Sequence, residues 1–145
     1  MSEEQNSTSK SWRAQGVRAE VPAQTGIEVE INEKPYGNPG TTSEFTVIRH
    51  LVNFEVVDKQ TKNPVASFSP PMKLTACYTQ DDVDSAGGVN KLKLAAWDGE
   101  KWRNLPITCI GREECPCPFS GAGFIGAAEV LITARWADPA VAWGT

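Results

Sequence analysis

The stretch KLKLAAWDGEKWRNLP, residues 91–106, decides how the chain is read. Asp98-Gly99 lies between two strand-like runs, a strong local signal for a β-hairpin. Two loop lengths compete. A two-residue loop pairs Trp97 with Glu100 and sets Leu94 against Arg103, so an apolar face meets a charged one. A four-residue loop, residues 98–101, pairs Trp97 with Trp102, Leu94 with Leu105 and Leu92 with Ile107. A one-residue slip turns every side chain to the wrong face, so the apolar set selects the longer loop. A type I turn closes it, with Gly99 or a neighbour near the left-handed region. The two tryptophans then form a cross-strand pair on the opposite face, worth ~0.2–1 kcal/mol. Such a pair usually packs or caps a sheet. On an open face it would serve as a platform for a sugar or peptide.

Outward from the hairpin, the segments read as strands. Residues 27–31, IEVEI, alternate and give a half-buried first strand. Residues 32–44 are dense in turn formers and read as a long loop. Residues 45–57 are β-branched and aromatic, but Phe45 and Val47 share one parity while Val52, Phe54 and Val56 share the other. A β-bulge near Arg49-His50, or a corner between two strands, reconciles them. Residues 58–64 read as a turn and 65–68 as a short strand stopped by Pro70-Pro71. Met72, Leu74, Ala76 and Tyr78 alternate with Lys73, Thr75 and Cys77 in a further strand, and residues 80–90 read as an acidic loop. A second long loop covers residues 111–123, and Val130, Ile132, Ala134 and Trp136 mark a closing strand. Residues 1–20, polar with the isolated Trp12, read as a disordered tail or linker before a single domain over residues 21–145. About seven short strands at regular spacing predict an all-β, antiparallel sandwich.

Residues 70–106, PPMKLTACYTQDDVDSAGGVNKLKLAAWDGEKWRNLP, resemble a pattern in immunoglobulin-like β-sandwich modules of large bacterial surface and secreted proteins. Those modules have a strand, an acidic loop, then a strand reading L-x-L-x-x-W-D-G-x-x-W. The motif is a hairpin, not a site. The resemblance therefore implies a fold and a structural or adhesive setting rather than a reaction. The chain departs from the pattern in its cysteine-rich loop and in lacking a secretion signal.

Composition narrows the function. The net charge of −4 offers no basic field for nucleic acid and no polybasic patch for a membrane. No apolar run reaches the ~20 residues of a membrane span, and the polar N-terminus is not read as a signal peptide. A cytoplasmic protein or an excised module of a secreted or surface protein fits, and a C-terminus ending on strand-like residues, AVAWGT, favours the module.

Four motifs invite chemistry. Gly121, Gly123 and Gly126 spell G-x-G-x-x-G, but CPCPFS precedes them and a β-branched run follows, so they read as a loop entering the last strand. Cys77, Cys109, Cys115 and Cys117 lack the paired knuckle spacing of zinc sites. Parity turns Cys109 inward and Cys77 outward, so these two should not meet. Free thiols or a loop disulfide from Cys109 to Cys115 or Cys117 are the readings that stand. Residues 80–85, QDDVDS, offer oxygens for Ca²⁺ but lack the EF-hand spacing, and a solvated acidic turn suffices. His50, the only histidine, has no nucleophile beside it and no G-x-S-x-G elbow elsewhere. The expectation is a non-enzymatic structural or protein-interaction module, without cofactor or metal, whose partner is another protein or another domain of a longer chain. The alternative is a carbohydrate- or small-ligand-binding module using exposed Trp97, Trp102 and Trp136. It requires those rings to stand in solvent.

Overall fold

The computed structural model describes residues 9–14, 16–35, 39–119, 121, 123–134, 136 and 140–145. Ten strands form two antiparallel sheets. They are β1 (Lys10–Ala14), β2 (Val17–Val21), β3 (Val29–Glu33), β4 (Val47–Asp58), β5 (Ser67–Thr79), β6 (Lys93–Trp97), β7 (Trp102–Asn104), β8 (Ile107–Gly111), β9 (Phe124–Ala134) and β10 (Ala140–Gly144). One sheet runs β1-β2-β5-β9-β8 and the other β3-β4-β10-β6-β7. Alternation builds the interface between them. Val17, Ala19, Val21, Leu74, Ala76, Val130 and Ile132 face Phe54, Val56, Leu94, Val141 and Trp143 in one continuous buried cluster. The described residues form an all-β sandwich with ten strands, not seven.

The central hairpin has the four-residue loop. Trp97 pairs with Trp102 and Ala95 with Asn104, and Asp98 Oδ1 accepts from the amides of Glu100 and Lys101 at 2.9 Å. Leu105 N donates to Leu94 O at 2.7 Å. Beyond it the expected pairing of Leu92 with Ile107 is not made. Pro106 has no N–H to continue the ladder. The chain crosses to the other sheet, where Ile107 pairs with Val130.

Several further expectations are corrected. The tail read over residues 1–20 falls partly outside the described residues. From Lys10 onward it is a hairpin, with Trp12 opposite Ala19. Val17, Ala19 and Val21 are buried, while Arg18 and Glu20 are half-exposed. Pro70-Pro71 does not stop a strand: β5 runs through it, across a cis Ser69-Pro70 peptide. The amide of Gln24 serves as the hydrogen-bond partner there: its Oε1 accepts from Ser69 N at 2.9 Å and its Nε2 donates to Pro70 O at 3.1 Å. The parity break in β4 is resolved by register shifts against β10, where Val52 and His50 face successive residues, as do Arg49 and Val47. These irregularities flank Arg49-His50, where the bulge was expected. The acidic loop is a helix, α1 (Gln80–Ala86), followed by a 3-10 turn over Val89–Lys91. Thr79 and Asp82 form a reciprocal capping box, and Gly87 closes the C-terminus at φ 86°.

Candidate functional site

Three places carry the residues that chemistry would need. The first is the outer face of the β4-β10-β6-β7 sheet. Trp97 and Trp102 meet edge-on at 5.4 Å between centroids, as the register requires. They do not form an open platform. Segment 39–46 lies over them: Trp102 Nε1 donates to Gly40 O at 2.8 Å, His50 Nε2 lies 2.6 Å from Pro39 O, and the Phe45 ring stacks 5.1 Å from Trp102. Phe45, Ala95, Trp102 and Ala142 are buried together as a second small core. Trp102 keeps 5% of its surface, and Trp97 stays half-buried. Gly144 allows the roof to close, because a Cβ there would strike the Phe45 ring and Thr46 O. Trp136 is elsewhere, 3% exposed in the main core and 5.3 Å from Phe54. The expected row of three exposed rings is therefore not formed, because two of the rings do more for folding as core than as surface. His50 sits at the rim of the roof with a backbone carbonyl and an indole as neighbours.

The second place is the end of the sandwich. Arg49 grips Asp82 with two hydrogen bonds, Nε to Oδ1 at 3.0 Å and Nη2 to Oδ2 at 2.7 Å. Burial works against ionisation of Asp82, but Arg49 together with the Thr79 amide and hydroxyl outweighs it and holds the carboxyl below its ordinary range. Trp143 Nε1 and Arg49 Nη2 both donate to Cys77 O, at 2.9 and 3.4 Å. Asp82 is thus the N3 partner of Thr79 in the α1 capping box and the anchor of Arg49. The signal was present: T-x-x-D before the run is the spacing of a capping box.

The third place is the cysteine loop on the outer face of the other sheet. Cys109 bonds to Cys115 across six residues, and Cys77 to Cys117 across forty. The first of these is the loop disulfide that spacing allowed. The second was not foreseen, although the outward parity of Cys77 is right: residues 112–119 fold over that face, and so Cys77 is buried. All four cysteines are paired in these two bonds. Arg13 lies 5.1 Å over the Phe119 ring, and Arg112 Nε donates to Ile125 O at 3.2 Å. Gly121 and Gly123 are in a turn, and Gly126 lies inside β9 against Tyr78, where a Cβ would strike the phenol. No helix N-terminus follows, so the dinucleotide spelling has no phosphate site behind it.

Open grooves run along the sandwich edge where β1 and β3 lie side by side. One of about 400 Å³ is lined by Ile27, Glu28, Asp58 and Lys59, and one of about 340 Å³ by Lys10, Trp12, Ile31 and Lys59. Lys10 pairs with Glu28 at 3.1 Å, which lowers the Glu28 carboxyl, and Lys62 with Glu30 at 2.7 Å. No protein-family model, no curated protein and no solved structure matches the chain. No helix among the described residues is long and apolar enough to cross a membrane.

Proposed function

We propose that the chain is a non-enzymatic structural or protein-interaction module, an immunoglobulin-like sandwich of the kind used in large bacterial surface and secreted proteins. One observation carries this reading: the side chains with chemical potential are built into the fabric. The cysteines are spent in cross-links, Asp82 caps a helix and holds Arg49, and Trp102 and Trp136 are core. The two disulfides support an oxidising compartment, where small domains use them as staples. The paired edges β1 and β3, with their polar groove, are where a neighbouring polypeptide would lie.

A photo-crosslinking residue replacing Ser11, on the β1 edge, tests the partner. Cross-links to a neighbouring domain or protein in the native setting, lost when the probe is moved to Thr108 on the far edge, support the reading. Cross-links equal at both sites reject that surface. The half-buried Trp97 keeps a sugar-binding reading in play. Titration with a panel of oligosaccharides is expected to leave tryptophan emission unchanged. A saturable shift that disappears in Trp97→Ala would put that second reading first.

A further inference from the structure

The two disulfides are not equivalent, and one has a carboxylate beside it. Glu129 on β9 stands opposite Cys109 in the strand register, and an oxygen of Glu129 and the sulfurs of Cys109 and Cys115 all lie within 4.8 Å of one another. A disulfide has no need of a carboxylate neighbour. Once the bond is opened, two thiolates and a carboxylate would crowd one small volume, and their mutual repulsion calls for protons or a cation. The ion pair of Glu129 with Lys73 is long, at 3.9 Å, and Lys73 also serves Glu20 at 3.4 Å.

We propose that reduction of Cys109–Cys115 converts this trio into a three-ligand site for a zinc-like divalent cation, with the Cys77–Cys117 bond keeping the fold. A dithiol delivers two electrons and two protons and becomes a disulfide, whereas a phosphine delivers two electrons and becomes its oxide, with one water giving the oxygen and both protons; either leaves two thiols. The dication then displaces both thiol protons. Two thiolates and one carboxylate suit zinc, and a water completes the tetrahedron. The backbone need not move far. Thiolates each about 2.3 Å from a tetrahedral ion lie roughly 3.8 Å apart, a spread that the 6.0 Å Cα–Cα separation of Cys109 and Cys115 accommodates.

Selective opening follows from position. Each bond joins a half-buried cysteine, Cys109 or Cys117, to a buried one, Cys115 or Cys77, so exposure does not separate them. Cys109 lies on the edge strand β8, beside the register shift between Ile107 and Cys109, and its bond closes a ring of only six residues. Cys77 is buried in the central strand β5. Its N–H bonds to Gly16 O at 2.9 Å, its carbonyl is held by Trp143 and Arg49, and its bond spans forty residues. The edge strand opens locally before the central one, and the fold loses less when the shorter ring is opened.

The test is graded reduction of the folded chain with a phosphine, followed by alkylation mapping and Co²⁺ titration. Cys109 and Cys115 are expected to label before Cys77 and Cys117, while the β-sheet circular dichroism persists. The partly reduced chain then takes one equivalent of cobalt with a thiolate-to-cobalt charge-transfer band, and zinc displaces it. Cys109→Ser abolishes the band, and Glu129→Gln weakens binding by at least roughly tenfold, no less than loss of a supporting group costs. Labelling of all four cysteines together, loss of the sheet signal on partial reduction, absence of the band, or a band that survives Cys109→Ser each overturns the proposal.

Discussion

Asp82 is the residue on which the end of the sandwich depends. It is 2% exposed and answers to Arg49, to the Thr79 amide and to the Thr79 hydroxyl. Asp82→Ala strands the Arg49 guanidinium and removes the helix cap. We expect a loss of about 2–4 kcal/mol in chemical denaturation, below the full value of a buried pair because Arg49 is one-third exposed. The same residue sets the acid limit. Its folded pKa lies below the unfolded value, so its contribution is complete above pH ~4 and is lost as pH falls through the folded pKa. Asp98, held at about 2 by the Lys101 and Glu100 amides, acts in the same direction. The unfolding midpoint should stay flat from neutral pH to about 5 and fall below about 4. In Asp82→Asn that fall should be shallower. Among the tryptophans, Trp102→Ala is expected to cost about 3–5 kcal/mol and Trp97→Ala much less, because only the first is enclosed. Equal losses would mean that the roof formed by segment 39–46 does not bury Trp102.

At the scale of elements, β5 shows how one strand crosses a proline pair. Gln24 answers Ser69 N and Pro70 O with a single amide. Gln24→Ala leaves both unpaired and should lower stability by about 1–3 kcal/mol, with hydrogen-exchange protection lost first at Ser69. The cysteine loop offers a sharper comparison. In the chain-entropy account a forty-residue closure is worth about 4 kcal/mol and a six-residue closure about 2. Cys77→Ser/Cys117→Ser should therefore lower the thermal midpoint more than Cys109→Ser/Cys115→Ser. A reversed order would show that the loop itself, not the cross-link to β5, holds residues 112–119 in place.

For the whole molecule, legibility tracked how local the deciding interaction is. The Trp97–Trp102 register, the outward parity of Cys77, the irregularity at Arg49-His50 and the all-β class rest on period-two alternation and on neighbours a few residues away. So did two features passed over: Val17-Arg18-Ala19-Glu20-Val21 alternates cleanly, and Thr79-x-x-Asp82 is a capping spacing. What stayed hidden needs contacts that alternation does not encode. Pro106 sends the chain to the opposite sheet, Gln24 repairs a strand forty-five residues away, and Cys77 finds Cys117 only because a loop folds over its face. The chain by itself determined strand periodicity and the hairpin register, since these depend on side-chain order along a pleat. Only the tertiary structure decided which tryptophans are surface, which cysteines bond and where a carboxylate stands beside sulfur. Those outcomes depend on which faces are covered, and coverage is a property of the packed sheets rather than of any single strand.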